Sequence, residues 1–261
     1  MLTLIDGKKI AADIVAELKK RPVPVKKLIG ILVGDDKASL SFLKQKEKTA
    51  EQLGVHFELK KFSDRLTQKE LEGEVRSISA NEEVGGIIVQ LPLSKKYERT
   101  SILNAIGIEK DVDVLNGENA SILAPAAGAL KRILEEIEFN LSGKKAVVVG
   151  PGLLIGRPIA TWLMDKVIKL TVLGKTKLDT PSLQEADLVV SGTGQAKLIR
   201  GQHIKPGAVV IDFGYGSIAG ELTGDIDLKS VSEVADYVTP TPGGTGPIVV
   251  AQLFVNFFDL N

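Results

Sequence analysis

The sequence of 261 residues contains no cysteine and only two histidines, His56 and His203. The lack of cysteine excludes disulfide bonds, thiolate nucleophiles and cysteine-ligated metal sites. Two histidines far apart in the sequence argue against a Ser/His/Asp triad and against a metal site built from several histidines. We therefore expect an activity that uses no resident metal.

Aromatic residues and net charge are also scarce. Aromatic residues make up 5% of the chain, so the core must consist mainly of aliphatic side chains, which favours buried parallel strands flanked by helices. The 33 basic and 33 acidic residues cancel, and no basic stripe indicates a nucleic-acid partner. No signal-peptide pattern or run of about 18 apolar residues is present. We expect a cytoplasmic protein that binds neither nucleic acid nor a membrane.

Apolar spacing predicts helices and strands in alternation along the chain. The predicted helices are residues 8–20, 39–53, 67–80, 125–139, 157–166 and 248–258, and the predicted strands are residues 28–33, 55–62, 86–90, 145–149, 170–173, 188–190 and 209–212. Ser39 is predicted to cap the second helix and Gly54 to end it. The alternation predicts an α/β fold with mainly parallel strands, and the length suits two lobes separated by a cleft.

A glycine-rich turn follows the strand predicted at residues 145–149. Gly150, Gly152 and Gly156 have the spacing G-x-G-x-x-x-G and stand between that strand and a predicted helix. Glycines at such a turn let the backbone approach a pyrophosphate, whose charge the following helix N-terminus stabilises. The pattern indicates a dinucleotide site, although the same glycines also serve simple packing of a strand against a helix.

The segment after the next strand bears on the choice of dinucleotide. NAD-binding enzymes usually carry an acidic residue there, which binds the ribose hydroxyls. Residues 173–177 contain no acid but include Lys175 and Lys177. Lysine suits a 2′-phosphate, so we predict NADP as the cofactor; the alternative is a solvated basic loop.

Three short stretches of the first half carry candidate reactive groups. Phe42 and Lys46 are one helical turn apart, so an aromatic ring and an amine share a helix face. Gln90 ends a predicted strand, and Asp113 lies in a polar loop. Taken singly, such residues are usually a solvated lysine, an edge glutamine and a turn aspartate.

Together with later motifs, these stretches resemble the methylenetetrahydrofolate dehydrogenase/cyclohydrolase family over nearly the whole chain. The motifs are VQLPL at residues 89–93, KDVD at 110–113, KPGAVVID at 205–212, GD at 224–225 and TPTPGGTGP at 239–247. The resemblance implies oxidation of methylene-tetrahydrofolate with a nicotinamide cofactor, followed by hydrolysis of the methenyl group. It also implies a homodimer.

The resemblance assigns roles to residues of this chain. It implies that Lys46 is the key catalytic group, that Gln90 holds it, that Asp113 binds the pterin and that Phe42 stacks on the folate. A lysine with a lowered pKa suits this chemistry, because the chain has no cysteine and no suitably placed histidine to move a proton. The other substrate-binding residues expected are Ser39, Leu91, Pro92, Gly243 and Gly244. The cofactor-binding residues expected are Gly150, Pro151, Gly152, Ile155, Gly156, Arg157, Lys175, Thr176, Gly192, Thr193, Gly194, Asp212 and Gly214.

The implied organisation has two lobes with the folate in the cleft between them. Residues 1–120 are expected to form an N-terminal α/β substrate domain, and residues 142–245 a Rossmann-like dinucleotide-binding domain. Residues 121–141 are predicted as the linking helix. The C-terminal helix, residues 246–261, is expected to pack back on the first lobe.

The chain departs from the family pattern at several of these positions. Phe42 stands where the family has tyrosine, Pro151-Gly152 replaces Arg-Ser, and the polar stretch after the second strand is shortened around Gly174. The folate half therefore keeps the pattern better than the cofactor half. Three other functions fit the sequence: a cyclohydrolase with a vestigial nucleotide lobe, a folate or nucleotide sensor without catalysis, and a different two-lobed Rossmann dehydrogenase.

Overall fold

The structure is a computed structural model that describes residues 2–117, 121–174, 178–218 and 220–261. Its strands are β1 (Thr3–Leu4), β2 (Lys27–Val33), β3 (Phe57–Phe62), β4 (Val84–Val89), β5 (Lys145–Val149), β6 (Lys169–Leu173), β7 (Leu188–Ser191), β8 (Val209–Asp212), β9 (Gly216–Ile218), β10 (Glu221–Thr223) and β11 (Tyr237–Val238). Its α-helices are α1 (Gly7–Leu18), α2 (Lys37–Leu53), α3 (Gln68–Ala80), α4 (Arg99–Leu103), α5 (Pro125–Glu136), α6 (Gly156–Leu163), α7 (Thr180–Glu185), α8 (Leu228–Val231) and α9 (Thr245–Asp259). The order of these elements confirms the predicted α/β class.

The chain divides into two compact units. Met1–Ala12 and Ala126–Val249 form the six-stranded unit, and Asp13–Pro125 and Val250–Asn261 form the three-stranded unit. The three-stranded unit therefore includes the end of the C-terminal helix, as predicted for a helix that packs back on the first lobe.

The six-stranded unit is built on a parallel sheet with the strand order β1-β11-β8-β7-β5-β6. After β5, the chain places β6 on one side and β7 on the other, so the order of strands reverses at β5. Aliphatic side chains from these strands and the surrounding helices form one buried cluster, which includes Val147, Val149, Val189 and Val210. In open parallel sheets of this kind, ligands bind beyond the carboxyl ends of the strands at the point of reversal.

The three-stranded unit contains a parallel sheet with the strand order β3-β2-β4. The outer strand β4 is buried along its whole length, which explains why GIIV reads as a continuous apolar run. The C-terminal helix packs closely on β4, because a side chain at Gly86 would lie 2.7 Å from the ring of Phe257. Asn256 adds two hydrogen bonds of 2.8 Å from its Nδ2 to the carbonyl oxygens of Val112 and Leu123.

The predicted N-cap of α2 is wrong. The carboxylate of Asp36 caps α2 by accepting a hydrogen bond from the backbone N–H of Ser39 at 2.7 Å, so Ser39 lies inside the first turn. Gly54 ends this helix as predicted, in the left-handed conformation with φ of 70°. None of the described helices combines the length and the apolar character that crossing a membrane requires.

Candidate active site

Lys46 lies in the middle of α2 in the three-stranded unit. Leu43 and Ala50, three residues before it and four residues after it, are almost fully buried. This spacing puts Lys46 on the same face of the helix as these two residues. The residue as a whole is only partly buried, but burial of its amine is the main influence on its pKa, which it lowers.

Gln90 follows the last residue of β4 and continues the pairing with β2, because its backbone N–H donates to the carbonyl oxygen of Ile31 at 2.9 Å. Its side-chain Oε1 accepts a hydrogen bond of 3.1 Å from Nζ of Lys46. Its Nε2 donates to the carbonyl oxygen of Leu91 at 2.8 Å. The second bond fixes the orientation of the amide, so that its oxygen faces the lysine amine.

Asp113 lies close enough to Lys46 for each charge to affect the other's pKa. Burial raises the pKa of Asp113, and the positive charge of Lys46 partly opposes that change. Burial lowers the pKa of Lys46, and the carboxylate of Asp113 partly opposes that change. Since burial is the larger cause for both groups, the site favours their neutral forms more than water does.

The loop that carries Asp113 is anchored by two charged residues that lie just before it in the sequence. Lys110 is buried, and its Nζ donates to the carbonyl oxygens of Ser79 at 2.6 Å and Asn81 at 2.8 Å. Asp111 is fully buried and accepts backbone N–H groups of Leu115 and Asn116 on Oδ2; burial raises its pKa to about 6. The KDVD motif contains both anchoring residues, but the sequence alone does not distinguish an anchoring residue from one that binds the substrate.

The other residues expected to bind substrate divide between the two units. Ser39 is buried in the first turn of α2, and Phe42 is half-buried one turn before Lys46. Leu91 and Pro92 follow Gln90 directly and are joined by a cis peptide bond. Gly243 and Gly244 instead belong to the six-stranded unit, immediately before α9.

The glycine-rich turn joins β5 to α6 at the point where the strand order reverses. Gly150 has φ of 88°, and a side chain there would lie 2.8 Å from Cγ2 of Thr193 and 2.9 Å from the carbonyl oxygen of Gly192. Gly156 is packed against the Gly150 backbone so closely that a side chain would overlap it. Gly152 differs, since a Cβ atom there would meet no other atom within 4 Å. The turn is thus rigid at its ends and open in its middle, as a pyrophosphate cradle requires.

The remaining expected cofactor residues lie around this turn. Pro151 and Arg157 are exposed, and Ile155 is the residue before α6. Thr193 and its neighbouring glycines form the loop after β7, while Asp212 and Gly214 form the end of β8 and the start of the loop after it. Lys175 and Thr176 lie outside the described residues. Among the described residues, no group of three His, Cys, Asp or Glu side chains could hold a metal ion.

Comparison with protein families shows what this arrangement belongs to. Residues 5–113 match the model of the tetrahydrofolate dehydrogenase/cyclohydrolase catalytic domain, and residues 124–261 match that of the tetrahydrofolate dehydrogenase/cyclohydrolase NAD(P)-binding domain. The two matches cover most of the chain and separate the Lys46 site from the glycine-rich turn.

Similar proteins agree with these matches. The bifunctional protein FolD of an Exiguobacterium species is 35% identical, over 98% of this chain and 97% of that protein. The crystal structure of the FolD methylenetetrahydrofolate dehydrogenase/cyclohydrolase from Campylobacter jejuni has a TM-score of 0.95 and 32% identity, over 100% of this chain and 98% of that one. The Trypanosoma brucei FolD structure, complexed with NADP cofactor and an inhibitor, has a TM-score of 0.92 and 30% identity, over 99% of this chain and 97% of that one. The resemblance is confirmed, and the chain belongs to the tetrahydrofolate dehydrogenase/cyclohydrolase family.

Proposed function

We propose that this protein oxidises 5,10-methylenetetrahydrofolate to 5,10-methenyltetrahydrofolate with NADP and then hydrolyses the product to 10-formyltetrahydrofolate. The observation that carries the proposal is the amine of Lys46, held by the amide oxygen of Gln90 and electrostatically coupled to Asp113. A pterin-binding enzyme that hydrolyses a cationic methenyl group needs a neutral base at this place, and a buried lysine supplies one.

The hydrolysis requires a group that accepts a proton and later returns one. A water oxygen bonds to the methenyl carbon while neutral Lys46 takes a proton from that water. The bond from the same carbon to N5 of the folate then breaks while the hydroxyl oxygen forms the formyl carbonyl and loses its proton to solvent. N5 takes the proton held by Lys46, so one proton is released overall. Burial lowers the pKa of Lys46, and a cationic substrate nearby would favour the neutral amine further.

Gln90 and Asp113 are assigned separate roles. Gln90 orients the lysine amine without adding a charge, because an amide oxygen accepts the hydrogen bond and remains neutral. The carboxylate of Asp113 can accept two N–H groups from the pterin edge, so binding of substrate would exchange water for paired hydrogen bonds. Phe42 is half-buried one turn before Lys46, and its proposed role is to stack its ring face on the folate.

The residues of the six-stranded unit fit a dinucleotide. Gly152 has open space where a Cβ would stand, and α6 begins at the same turn, so the positive end of its helix dipole would stabilise the charge of a pyrophosphate. A bound nicotinamide would supply the hydride acceptor for oxidation of the methylene bridge. The loops after β5, β7 and β8 would hold and orient that ring.

We further propose that NADP is preferred over NAD. The sequence from the end of β6 to residue 177 contains no acidic residue that could bind the ribose hydroxyls of NAD. Lys175 and Lys177 in the same stretch would favour the 2′-phosphate of NADP. The test is the ratio of kcat/KM for the two cofactors, which should favour NADP. Lys175→Asp should lower kcat/KM for NADP more than for NAD, and a higher kcat/KM for NAD in the wild type would contradict the assignment.

The two activities are tested separately with purified protein. Reduced dinucleotide is followed at its own absorbance band after methylenetetrahydrofolate is added, and loss of methenyltetrahydrofolate is followed in a second assay without dinucleotide. Activity in both assays is expected. Hydrolysis without dinucleotide reduction would instead favour a cyclohydrolase with a vestigial nucleotide lobe, and inactivity in both would favour a sensor.

The oligomeric state and the cellular location of the protein are part of the same proposal. We propose a homodimer, as the family resemblance implies, and sedimentation velocity should give a mass of twice 27.9 kDa. A single species at the monomer mass across micromolar concentrations would contradict it. A cytoplasmic location is proposed because the reaction draws on the cytoplasmic pools of dinucleotide and reduced folate, and cell fractionation tests it.

A further inference from the structure

Two carboxylates in the six-stranded unit are buried: Asp212, which the family resemblance predicts to bind the cofactor, and Asp225, which has no role in the reaction described above. Asp212 is the last residue of β8, and Asp225 follows β10. Their relative exposures are 2% and 0%. Acidic residues are almost never buried to this extent unless something specific compensates for the lost hydration.

Asp225 holds the loop that follows β7. Its Oδ2 accepts a hydrogen bond of 2.7 Å from Oγ of Ser191 and one of 2.6 Å from the backbone N–H of Thr193. These two residues flank Gly192, the point at which the chain leaves the sheet. The loop is therefore fixed by a side chain 32 residues further along the chain.

Asp212 holds the loop that follows β8. Its Oδ1 accepts the backbone N–H of Gly214 at 2.7 Å and that of Asp225 at 3.1 Å, and its Oδ2 accepts the N–H of Ile226 at 3.1 Å. A side chain at Gly214 would overlap the Asp225 carboxylate, and one at Gly224 would overlap that of Asp212. The two carboxylates and the two glycines thus pack into one hydrogen-bonded cluster beside the ends of β7 and β8.

The two carboxylates have different surroundings. Burial, followed by the charge of Asp225, raises the pKa of Asp212 to about 7. On one side, Asp212 lines a cavity of about 140 Å³ together with Lys197, Asp227 and Lys229. Oδ1 of Asp225 is buried and receives no hydrogen bond within the described part of the chain. An amide N–H₂ at that position would therefore displace no hydrogen-bond donor.

We propose that Asp212 and Asp225 are positioning residues, which fix the loops after β7 and β8 in the shape that receives the dinucleotide and so set its affinity without touching it. The loop after β7 lies next to the glycine-rich turn, since a side chain at Gly150 would meet Gly192 and Thr193. The loop after β8 lies next to the loop after β7, since a side chain at Gly194 would lie 3.6 Å from the carbonyl oxygen of Tyr215. The carboxylate of Asp212 already receives three backbone N–H groups, so it acts through the backbone. The inference rests on the proposed dinucleotide function and names the groups that support its site.

The test compares substitutions of Asp225 by isothermal titration with NADP. Asp225→Ala removes the acceptor for Ser191 and Thr193 and should weaken NADP binding about tenfold or more, the usual loss for hydrogen bonds to a charged group. Asp225→Asn keeps that acceptor and places an amide N–H₂ at the position of Oδ1, so affinity should stay within about threefold of wild type. Asp227→Ala is the matched control, because the carboxylate two residues on accepts a hydrogen bond from Ser230 instead; it should change affinity less than about twofold.

Urea unfolding followed by the fluorescence of Trp162 measures folding of the six-stranded unit, which carries Asp225, and cyclohydrolase activity measures folding of the unit that carries Lys46. An Asp225→Ala protein that is folded by both measures but binds NADP weakly, with rescue by Asp225→Asn, supports the proposal. Unchanged NADP affinity in folded Asp225→Ala overturns it. If Asp225→Ala does not fold, Ser191→Ala replaces it with an expected loss of about threefold, and an unchanged affinity there overturns the proposal equally. If the wild type binds neither NADP nor NAD, the proposed dehydrogenase function fails and this inference fails with it, whereas normal wild-type binding confines any failure to the Asp pair.

Discussion

The two units use their polar residues in different ways. In the three-stranded unit, the candidate reactive groups are side chains that face one another, with the amine of Lys46 on a helix and the amide of Gln90 at a strand end. In the six-stranded unit, the candidate ligands are mostly backbone groups at glycines, and the buried carboxylates support that backbone. A substitution should therefore remove a reactive group in the three-stranded unit, whereas in the six-stranded unit it should change the backbone conformation of the binding loops.

The largest effect is expected from Lys46→Met. The stem keeps a similar length while the amine is lost, so methenyl hydrolysis should fall by about a hundredfold to ten-thousandfold. NADP affinity should not change, because the turn at Gly150 belongs to the other unit. Lys44→Met, an exposed lysine on the same helix, is the control, and wild-type hydrolysis in folded Lys46→Met would exclude the amine as the proton carrier.

The next largest expected effect is a change with pH in the free energy of unfolding of the six-stranded unit. The pKa of Asp212 is raised to about 7 in the folded protein, so between about pH 4 and 7 the folded state binds more protons than the unfolded state. The free energy of unfolding should therefore fall as the pH rises through that window, by up to about 1.4 kcal/mol per pH unit.

Asp212→Asn should remove this slope, since an amide does not titrate. Unfolding by urea is followed by the fluorescence of Trp162, the single tryptophan, which lies in the six-stranded unit. Asp236→Asn alters an exposed carboxyl group in the same unit and should leave the slope intact. An identical slope in wild type and Asp212→Asn would show that the Asp212 carboxyl is not perturbed by burial.

A pair of glycine substitutions separates folding from binding in the glycine-rich turn. Gly150→Ala should destabilise the unit by about 1–3 kcal/mol, because of its positive φ and the short contacts to Thr193 and Gly192. Gly152→Ala should fold normally, because its Cβ meets no atom within 4 Å, yet weaken NADP binding if the pyrophosphate occupies that space. Normal NADP affinity in Gly152→Ala would place the dinucleotide elsewhere.

The smallest effect is expected at Phe42. If the ring acts through its face, Phe42→Tyr should change folate affinity by no more than about 0.5–1.5 kcal/mol, the net worth of one hydrogen bond. Phe42→Ala should cost more, because a large ring is replaced by a methyl group. Equal folate binding by Phe42→Ala and wild type would remove this residue from the site.

Regular elements with strong apolar patterns were predictable from the sequence. β5 and β8 have the predicted bounds, because runs such as AVVV and VVID are buried on both faces and end at turn residues. The two-residue strands β1 and β11 were missed, since neither has a pattern. Their pairing joins Thr3 to Tyr237 and depends on contacts far apart in the sequence.

The N-cap of α2 shows a second limit on what the sequence predicts. Ser39 and Asp36 are both good N-cap residues, and the sequence does not say which one the backbone uses. The structure selects Asp36, whose carboxylate reaches the N–H of Ser39. That choice starts the helix two residues earlier than predicted and places Ser39 within its first turn.

The sequence by itself determined the fold class, the family and the residue types available for chemistry, because these depend on periodicity, composition and short motifs. Tertiary structure decided the geometry of the contacts. The resemblance implied that Gln90 holds Lys46, but the hydrogen bond of 3.1 Å between them and the support of the loop at Thr193 by Asp225 exist only in the folded chain. Burial then decided their ionisation, because a pKa depends on the hydration and the neighbouring charges that only the folded chain provides.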